Sequence, residues 1–429
     1  MTTRREFLRK AGLVSAATLA SPLHGRRTAV PASPEGPSRE VALNEDYWSD
    51  IAAQYTITDR VTNLEGGFYG MMANPVREAY HRHIDRVNLE SSFFARTAFP
   101  RLAQESRLRV ATALGIDPGE IAFSRNATEA LQALIGQYNR LQSGDTVMYA
   151  DLDYPAMQMA MDALAGREEA GVATLVIPES PSHEAIMEAY TQALDANPRT
   201  RLLLLTHANN KTGLIHPVKD VTALARSRGV DVVVDAAHSW GHVPFDIAGL
   251  GADYVGINLH KWMGVPLGIG VMYIRGSGLS GIDRAHGDRG SLESIDSRLH
   301  TGTVSFAGVL TIPTALDFQD AVGLDNKYAR VRYLRDLWVN AVRPIDGIDI
   351  LTPDDDTLVG AITSFRLHGN GDPDANRALA KTLQDEFGIF TVARSGVAGG
   401  DCVRVTPALY NLPPDLEKLV AALRVLAAR

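Results

Sequence analysis

Short apolar runs alternate with longer segments of helical periodicity through the middle of this chain, and this alternation is the strongest constraint on its fold. Apolar runs of strand length predict buried β-strands, and helices between them predict crossover units on a mostly parallel sheet. The predicted strands lie at residues 121–123, 146–150, 173–177, 201–206, 231–234, 254–257 and 270–274. The pattern therefore predicts a large doubly wound α/β domain with a seven-stranded sheet.

A smaller domain is predicted after the large one. Apolar residues at spacings of three and four predict a long amphipathic helix over residues 327–342, which would link the two domains. The remaining predicted elements are strands near 361–367, 390–393 and 403–406 and helices at 374–387 and 414–428. We therefore expect residues 76–325 to form the large domain and residues 326–429 to form the linking helix and a small α+β domain.

Residues 1–31 have the pattern of an export signal. Arg4 and Arg5 precede an apolar, alanine-rich stretch at residues 11–20 that contains no acidic residue, which resembles a twin-arginine signal. The stretch is too short to span a bilayer as a mature helix. We therefore expect the twin-arginine translocase to deliver the folded protein to the periplasm or another extracytoplasmic compartment, and residues 32–44 to form a linker.

Composition limits the other function classes. The chain has 429 residues, a net charge of −8 and a hydrophobic fraction of 45%, which is typical of a soluble two-domain protein with a substantial core. It has no basic patch that would indicate nucleic-acid binding and no further segment long enough for a stable membrane anchor. Cys402 is the single cysteine, which excludes an internal disulfide framework and a cysteine-rich metal site, so we expect no metal.

Asp235 and Lys261 each follow a predicted buried strand. Asp235 comes directly after the valine run 232–234, and Lys261 comes shortly after the apolar run 254–257. Open α/β sheets hold ligands at the carboxyl ends of their strands. Pyridoxal phosphate (PLP) chemistry needs a lysine that forms a Schiff base with the cofactor aldehyde and a carboxylate that keeps the pyridine nitrogen protonated. Either residue alone is more often a helix cap or a surface residue, but the pair predicts a PLP enzyme.

A phosphate site is predicted at the start of the helix that follows the first large-domain strand. Residues 124–129 lead from that strand into an apolar helix, where free N–H groups and the helix dipole favour a dianion. The Thr128 hydroxyl can add a hydrogen bond. Asn126 or Thr128 could equally be an ordinary helix cap, and the two interpretations are compatible.

These motifs, with Asp235-Ala236-Ala237-His238 and Asn258-Leu259-His260-Lys261, resemble the class V aminotransferase group of fold-type I PLP enzymes. Within that group the chain is most similar to isopenicillin N epimerase-like proteins. The resemblance covers most of the chain after the linker. It implies a homodimer with shared active sites, and it makes residues 45–75 an N-terminal arm with a segment that closes over the substrate.

The resemblance also implies a set of cofactor-contacting residues: Ala127, Thr128, Tyr154, Asn210, Asp235, Ala237, His238, Asn258, His260, Lys261 and Thr303. Tyr154 would stack on one face of the pyridine ring and Ala237 would pack on the other. Asn210 would contact the cofactor hydroxyl, although a shift of one residue would give that role to Asn209. Thr303 would reach the phosphate in the partner subunit.

Three of these residues are the predicted catalytic residues: Lys261, Asp235 and His238. Substrate binding is predicted at Arg404, whose guanidinium would pair with the α-carboxylate of an amino acid, and at Asn63 and Gly66 in the closing segment. Glu65 departs from the pattern expected for that segment, and the sequence leaves its role open.

The same residues serve several reactions at Cα. Epimerisation, transamination and β- or γ-elimination, including C–S lyase chemistry, differ in the proton acceptor and the pocket shape, which the sequence does not separate. Desulfuration through an enzyme persulfide is disfavoured because the loop at residues 394–400 contains no cysteine.

An exported non-catalytic cofactor or amino-acid binding protein is a remote alternative. A nicotinamide enzyme is another, because residues 276–281 match the glycine fingerprint, but the polar residues after them do not predict the apolar helix that the fingerprint requires.

Overall fold

The computed structural model describes residues 30–299 and 302–429. The predicted export signal therefore lies outside the described residues, except for its last two positions. The described α-helices run in chain order as α1 (Ser38–Val41), α2 (Glu45–Ala52), α3 (Asn74–Thr97), α4 (Phe99–Leu114), α5 (Ala127–Gly136), α6 (Pro155–Arg167), α7 (His183–Ala196), α8 (Val218–Ser227), α9 (Ile247–Leu250), α10 (Phe306–Val322), α11 (Leu324–Val342), α12 (Pro373–Phe387) and α13 (Pro413–Ala427).

The described strands follow the same order along the chain: β1 (Thr62–Asn63), β2 (Ile121–Ser124), β3 (Thr146–Ala150), β4 (Gly171–Leu175), β5 (Thr200–Thr206), β6 (Asp231–Ala236), β7 (Tyr254–Asn258), β8 (Gly270–Ile274), β9 (Ile348–Ile350), β10 (Thr363–Leu367), β11 (Ile389–Phe390), β12 (Val392–Arg394) and β13 (Cys402–Val405). Among the helices of this part of the chain, none is long and apolar enough to cross a membrane.

The large domain is built on a mixed seven-stranded sheet with the order β2-β8-β7-β6-β5-β3-β4. Strand β8 runs antiparallel to both of its neighbours, and the other neighbouring pairs are parallel. All seven predicted strands are confirmed, although β4 lies two residues earlier than predicted. Apolar cores cover both faces of the sheet, which explains why its strands appear in the sequence as continuous apolar runs.

The small domain has an antiparallel four-stranded sheet with the order β12-β13-β10-β9. Its core is closed by α11 and α13, and Trp338 of α11 is fully buried there. Strand β9 was not predicted, because three residues are too few to produce a periodic pattern. The pairing of β1 with β11 was not predicted either, and it joins the N-terminal arm to the small domain.

The predicted linker, residues 32–44, has defined contacts in the structure. Ser33 accepts a hydrogen bond of 2.6 Å from the Asn326 side chain, and α1 forms one helical turn. Val30, near the end of the predicted signal, packs against the large core. The glycine fingerprint also has a defined structure. Residues Gly276–Gly281 form a 3₁₀ helix that ends in extended backbone at Ile282, so they do not open the helix that nucleotide binding would require.

Candidate active site

A cavity of about 270 Å³ opens where the carboxyl ends of β5, β6 and β7 face the small domain. Parallel strands bring their carboxyl ends to one edge of the sheet, which is why residues far apart in sequence meet here. The predicted residues that line this cavity are Ala127, Thr128, Tyr154, Asn210, Asp235, Ala237, His238, Asn258, His260, Lys261 and Arg404.

Lys261 is held in the cavity by a chain of hydrogen bonds. Its Nζ lies 2.7 Å from His238 Nε2, and the Trp262 indole donates to His238 Nδ1 at 3.2 Å. A neutral imidazole carries one proton, and Nδ1 is already accepting, so we assign that proton to Nε2. His238 therefore donates to Lys261, which requires the amine to be neutral.

Electrostatics agree with this assignment. Burial lowers the pKa of Lys261 to about 7, although nearby Asp235 opposes the change. Burial, followed by the positive charge of Lys261, holds the pKa of His238 well below its usual range. A neutral lysine amine beside a neutral imidazole is a nucleophile at neutral pH.

His242 holds His238 in position through a hydrogen bond to the His238 backbone carbonyl. The Ala361 N–H donates to His242 Nε2 at 2.8 Å, so His242 Nδ1 carries the proton and donates to the His238 carbonyl at 2.8 Å. The His242 ring also stacks on Trp262, with ring centroids 4.0 Å apart. These contacts hold both neighbours of Lys261 in one arrangement.

Asp235 is buried at the end of β6, where its Oδ1 accepts a hydrogen bond of 2.9 Å from the Ala237 N–H. Burial raises the pKa of this carboxyl group, and the Ala237 hydrogen bond and Lys261 only partly offset that increase. A buried acid of this kind gains most from a positively charged partner, which would favour its ionised form.

The start of α5, residues 126–128, lines one part of the cavity, and we call this segment the cradle. Asn126 caps the helix by accepting from the Glu129 N–H at 2.8 Å, and Asn258 Oδ1 accepts from the Ala127 N–H at 2.7 Å. The Thr128 N–H is at the second helical position, where no intrahelical acceptor exists. On the sheet side, a Cβ at Gly270 would lie 2.7 Å from the Asn126 backbone, so glycine is needed for this close approach.

His260 also lines the cavity, but its capacity to donate a hydrogen bond depends on its protonation. Its Nδ1 lies 3.0 Å from the Ile269 carbonyl, so the neutral ring donates there and leaves Nε2 as an acceptor. Burial lowers the pKa of this imidazole. His260 can therefore donate to a phosphate only when an anion promotes its protonation.

The two candidate asparagines have different environments. Asn209 is fully buried; its Oδ1 accepts from the Lys211 and Thr212 N–H groups at 2.8 and 2.9 Å, and its Nδ2 donates to the Leu152 carbonyl at 2.6 Å. Asn210 lines the cavity. The turn therefore uses Asn209 for its own structure and leaves Asn210 facing the site.

Two arginines and a glutamate meet at the small-domain end of the cavity. Arg404 is 1% exposed, and its Nε and Nη2 both donate to the Glu65 carboxylate, with Nε 3.3 Å from Oε2. Its Nη1 donates to the Asn210 carbonyl at 2.7 Å. Arg394 Nη2 lies 3.2 Å from the same Glu65 carboxylate.

Asn63, Gly66 and Thr303 do not line the cavity of the described chain. Asn63 Oδ1 accepts from the Glu65 N–H at 2.9 Å, and Gly66 donates to the Thr406 carbonyl at 2.9 Å, so both shape the backbone of the closing segment. Thr303 is exposed, and its contact with a partner subunit stays a prediction.

Several residues of the site were not among the predicted contacts: Gly67, Phe68, Asn126, Leu131, Thr206, Ala208 and Arg394. Most follow from the predicted elements, since Thr206 ends β5 and Leu131 lies one helical turn into α5. Lys327 was not predicted either, because no sequence motif marks it. It is buried on α11, and its Nζ donates to the Trp262 carbonyl and to the Gln319 side chain, so it stabilises the segment that carries Lys261.

Cys402 is buried on β13, outside the cavity lining, and burial raises the pKa of its thiol to about 11. A thiol of this kind is a poor nucleophile, because the thiolate is the reactive form. The structure agrees with the sequence argument against an enzyme persulfide on this residue.

The residues present fit PLP. A neutral amine, a buried acid and a helix start backed by glycine meet in one cavity, as the aldehyde, pyridine nitrogen and phosphate require. Lys261 would bind the aldehyde, Asp235 would pair with the ring nitrogen, and the N–H and hydroxyl of Thr128 would hold the phosphate.

Comparison with known proteins agrees with this site. The sequence model of the family described as aminotransferase class-V matches residues 71–425. The chain is 29% identical over 405 residues to the isopenicillin N epimerase of Amycolatopsis lactamdurans, covering 89% of this chain and 98% of that protein. It is 28% identical over 341 residues to a probable cysteine desulfurase of Vibrio cholerae, covering 74% and 81%.

Among solved structures, the protein C-DES has the same fold. A C-DES variant with glycine covalently linked to the PLP cofactor matches with a TM-score of 0.75 at 20% identity, covering 87% of this chain and 98% of that chain. C-DES is described as a cystine C–S lyase in a complex with its reaction product cysteine persulfide, which matches with a TM-score of 0.73 at 20% identity, covering 85% and 98%. At these identities the likeness establishes the fold-type I architecture.

Proposed function

This chain belongs to the class V aminotransferase family of PLP enzymes, and we propose that it acts at the Cα of an amino-acid substrate as an epimerase or aminotransferase. The observation that carries the proposal is the Lys261 amine, which is hydrogen-bonded to His238 in one cavity with the buried Asp235 and the two arginines of the small domain. The long alignment with isopenicillin N epimerase supports the epimerase outcome.

The chain's own residues have separate tasks in this mechanism. Bound PLP supplies an electron sink that stabilises negative charge at Cα. The Lys261 Nζ takes the Cα proton as a general base, and His238 holds that amine in place. Asp235 supplies the buried negative charge of the site, and an arginine at the small-domain end of the cavity orients the substrate through its carboxylate.

C–S lyase chemistry is the second candidate. A probable cysteine desulfurase aligns with most of this chain, and the fold matches that of a cystine C–S lyase. The same Lys261 could remove the Cα proton, with loss of a sulfur substituent as the next step. The buried Cys402 argues against an enzyme persulfide, so such a lyase would release its sulfur product directly.

The test is incubation of the holoenzyme with a panel of L- and D-amino acids in deuterated water, with and without a keto acid. Deuterium at Cα with loss of chirality indicates epimerisation, a new keto acid indicates transamination, and released sulfide or persulfide indicates the lyase. Lys261→Ala should abolish Cα exchange, whereas the matched control Lys219→Ala on the exposed side of α8 should leave it unchanged. If no amino acid exchanges its Cα proton, the proposal is wrong.

We also propose export through the twin-arginine route and a homodimer with shared active sites. The paired arginines Arg4 and Arg5 support export, because that route carries folded proteins and the cofactor must be captured before transport. Exposed apolar side chains such as Leu89, Phe93 and Leu267, each at least 60% exposed, support a subunit interface that would cover them.

A further inference from the structure

The arginine predicted to bind the substrate carboxylate already has a carboxylate partner in this chain. Glu65 accepts from both Nε and Nη2 of Arg404, and the third guanidinium nitrogen donates to the Asn210 carbonyl. Every nitrogen of Arg404 therefore has an acceptor. A substrate carboxylate could take this fork only by displacing Glu65.

The backbone holds Glu65 firmly in this position. Thr406 donates to the Leu64 carbonyl at 2.7 Å and accepts from the Gly66 N–H at 2.9 Å, one residue on each side of Glu65. A Cβ at Gly67 would lie 3.0 Å from Arg404 Nη2, so glycine lets the segment pack on the guanidinium. The Glu65 side chain is 7% exposed. Its displacement would therefore have to break a buried ion pair.

Arg394 differs from Arg404. The two are diagonal neighbours on the paired strands β12 and β13, and both line the cavity. The Arg394 side chain is 25% exposed, against 1% for Arg404, and it contacts Glu65 through Nη2 alone, at 3.2 Å. Arg394 is therefore the more accessible guanidinium at this end of the cavity.

Charge sets how many carboxylates this end of the cavity can take. Arg394 and Arg404 contribute two positive charges, and Glu65 neutralises one of them. Tyr410 and Cys402 lie nearby, but burial raises the pKa of each, so both are neutral at pH 7. One net positive charge remains, which suits one carboxylate.

We propose that Glu65 is a specificity-determining residue that permanently occupies the fork of Arg404, so that Arg394 binds the substrate carboxylate and the site discriminates against dicarboxylic amino acids. The inference rests on the proposed function, because it concerns the carboxylate of an amino-acid substrate. Glu65 acts in two ways: it fills the fork of Arg404, and its charge removes the attraction for a second anion.

The decisive variant is Glu65→Gln, which keeps the shape and an acceptor for Arg404 but removes the charge. The probes are propionate, glutarate and the neutral propanamide, titrated calorimetrically into the holoenzyme. Glu65→Gln should bind propionate about tenfold more tightly, or by about 1.4 kcal/mol, with a larger gain for glutarate and none for propanamide. Arg394→Ala should weaken propionate binding at least tenfold in the parent protein.

A matched control separates these effects from the loss of a structural ion pair. Glu179 pairs with the buried Arg366 of β10, which neighbours β13, and neither residue lines the cavity. Glu179→Gln should leave the binding of all three probes unchanged. Unchanged carboxylate binding in Glu65→Gln would overturn the inference, as would propionate binding that is insensitive to Arg394→Ala.

These titrations need no turnover, so the two proposals can fail independently. If the parent enzyme exchanges Cα protons while Glu65→Gln binds carboxylates no more tightly, the inference is wrong and the proposed function stands. If Glu65→Gln gains affinity but no amino acid exchanges its Cα proton, the proposed function is wrong. With a turned-over substrate, Glu65→Gln should lower KM for dicarboxylic amino acids more than it changes kcat.

Discussion

The Lys261 amine should be largely neutral at physiological pH in the cofactor-free protein. Burial lowers its pKa from the ordinary 10.5 to about 7, a difference of about 5 kcal/mol between the charged and neutral forms. At pH 7.5 roughly three-quarters of such an amine is neutral, against about one part in a thousand for an ordinary lysine. The neutral, nucleophilic form of Lys261 should therefore be several hundred times more populated than that of an ordinary lysine.

Competitive labelling of the cofactor-free protein with trace acetic anhydride measures this directly. Peptide mass spectrometry gives the labelling rate of Lys261 from pH 5.5 to 10, corrected for hydrolysis of the anhydride at each pH, and Lys381, whose side chain is 75% exposed, is followed in the same samples for comparison. Because the neutral amine reacts, labelling should rise about tenfold per pH unit below about pH 7 and then become constant. Labelling of Lys261 that keeps rising beyond pH 9 would refute the reasoning.

The variant Asp235→Asn tests the electrostatic cause of the Lys261 pKa as well as its value. Asp235 is the principal group that raises the pKa of Lys261 against the effect of burial. Asp235→Asn removes that negative charge, so the labelling profile of Lys261 should move to lower pH. A shift to higher pH would mean that the electrostatic balance around the amine has been assigned with the wrong sign.

Three further predictions follow from the same structure. Asp235→Ala should keep the fold and some bound cofactor but lose most turnover, and near-normal activity would contradict its role opposite the ring nitrogen. Trp338→Ala should destabilise the small domain by about 3–5 kcal/mol in denaturant unfolding, because it removes a fully buried aromatic side chain, whereas Val425→Ala on the exposed face of α13 should cost far less. Arg4→Lys combined with Arg5→Lys should leave holoenzyme in the cytoplasm, and unchanged export in cell fractionation would show that the signal was misinterpreted.

The large domain could be predicted from sequence because its strands are buried on both faces. A strand such as β6 therefore appears as an uninterrupted valine run that ends at a polar residue. Helix α10 gave no such signal. It is apolar on nearly all sides and buried along most of its length, so no periodicity marked it, and α3 and α4 were not predicted either.

The same physics explains which parts of the site were predictable. Asp235, Lys261 and the start of α5 occupy strand ends and a helix start, which the local sequence marks. The hydrogen bonding of Lys261 was not predictable in the same way, since it depends on Trp262 donating to His238 and on His242 donating to the His238 carbonyl. Local sequence does not encode which nitrogen of a histidine accepts a hydrogen bond.

Glu65 is the position where the sequence identified a departure but could not assign its role. Its partner Arg404 is 339 residues away in the chain. Two separate pairings bring them together: β1 lies parallel to β11, and Glu65 itself forms a bridge with Thr406 just after β13. Neither contact is long enough to produce a strand pattern, yet together they fix the register of the closing segment. A shift of one residue would turn the carboxylate to the opposite face and free Arg404, so the specificity proposed for this enzyme depends on those two short pairings as much as on the presence of a glutamate.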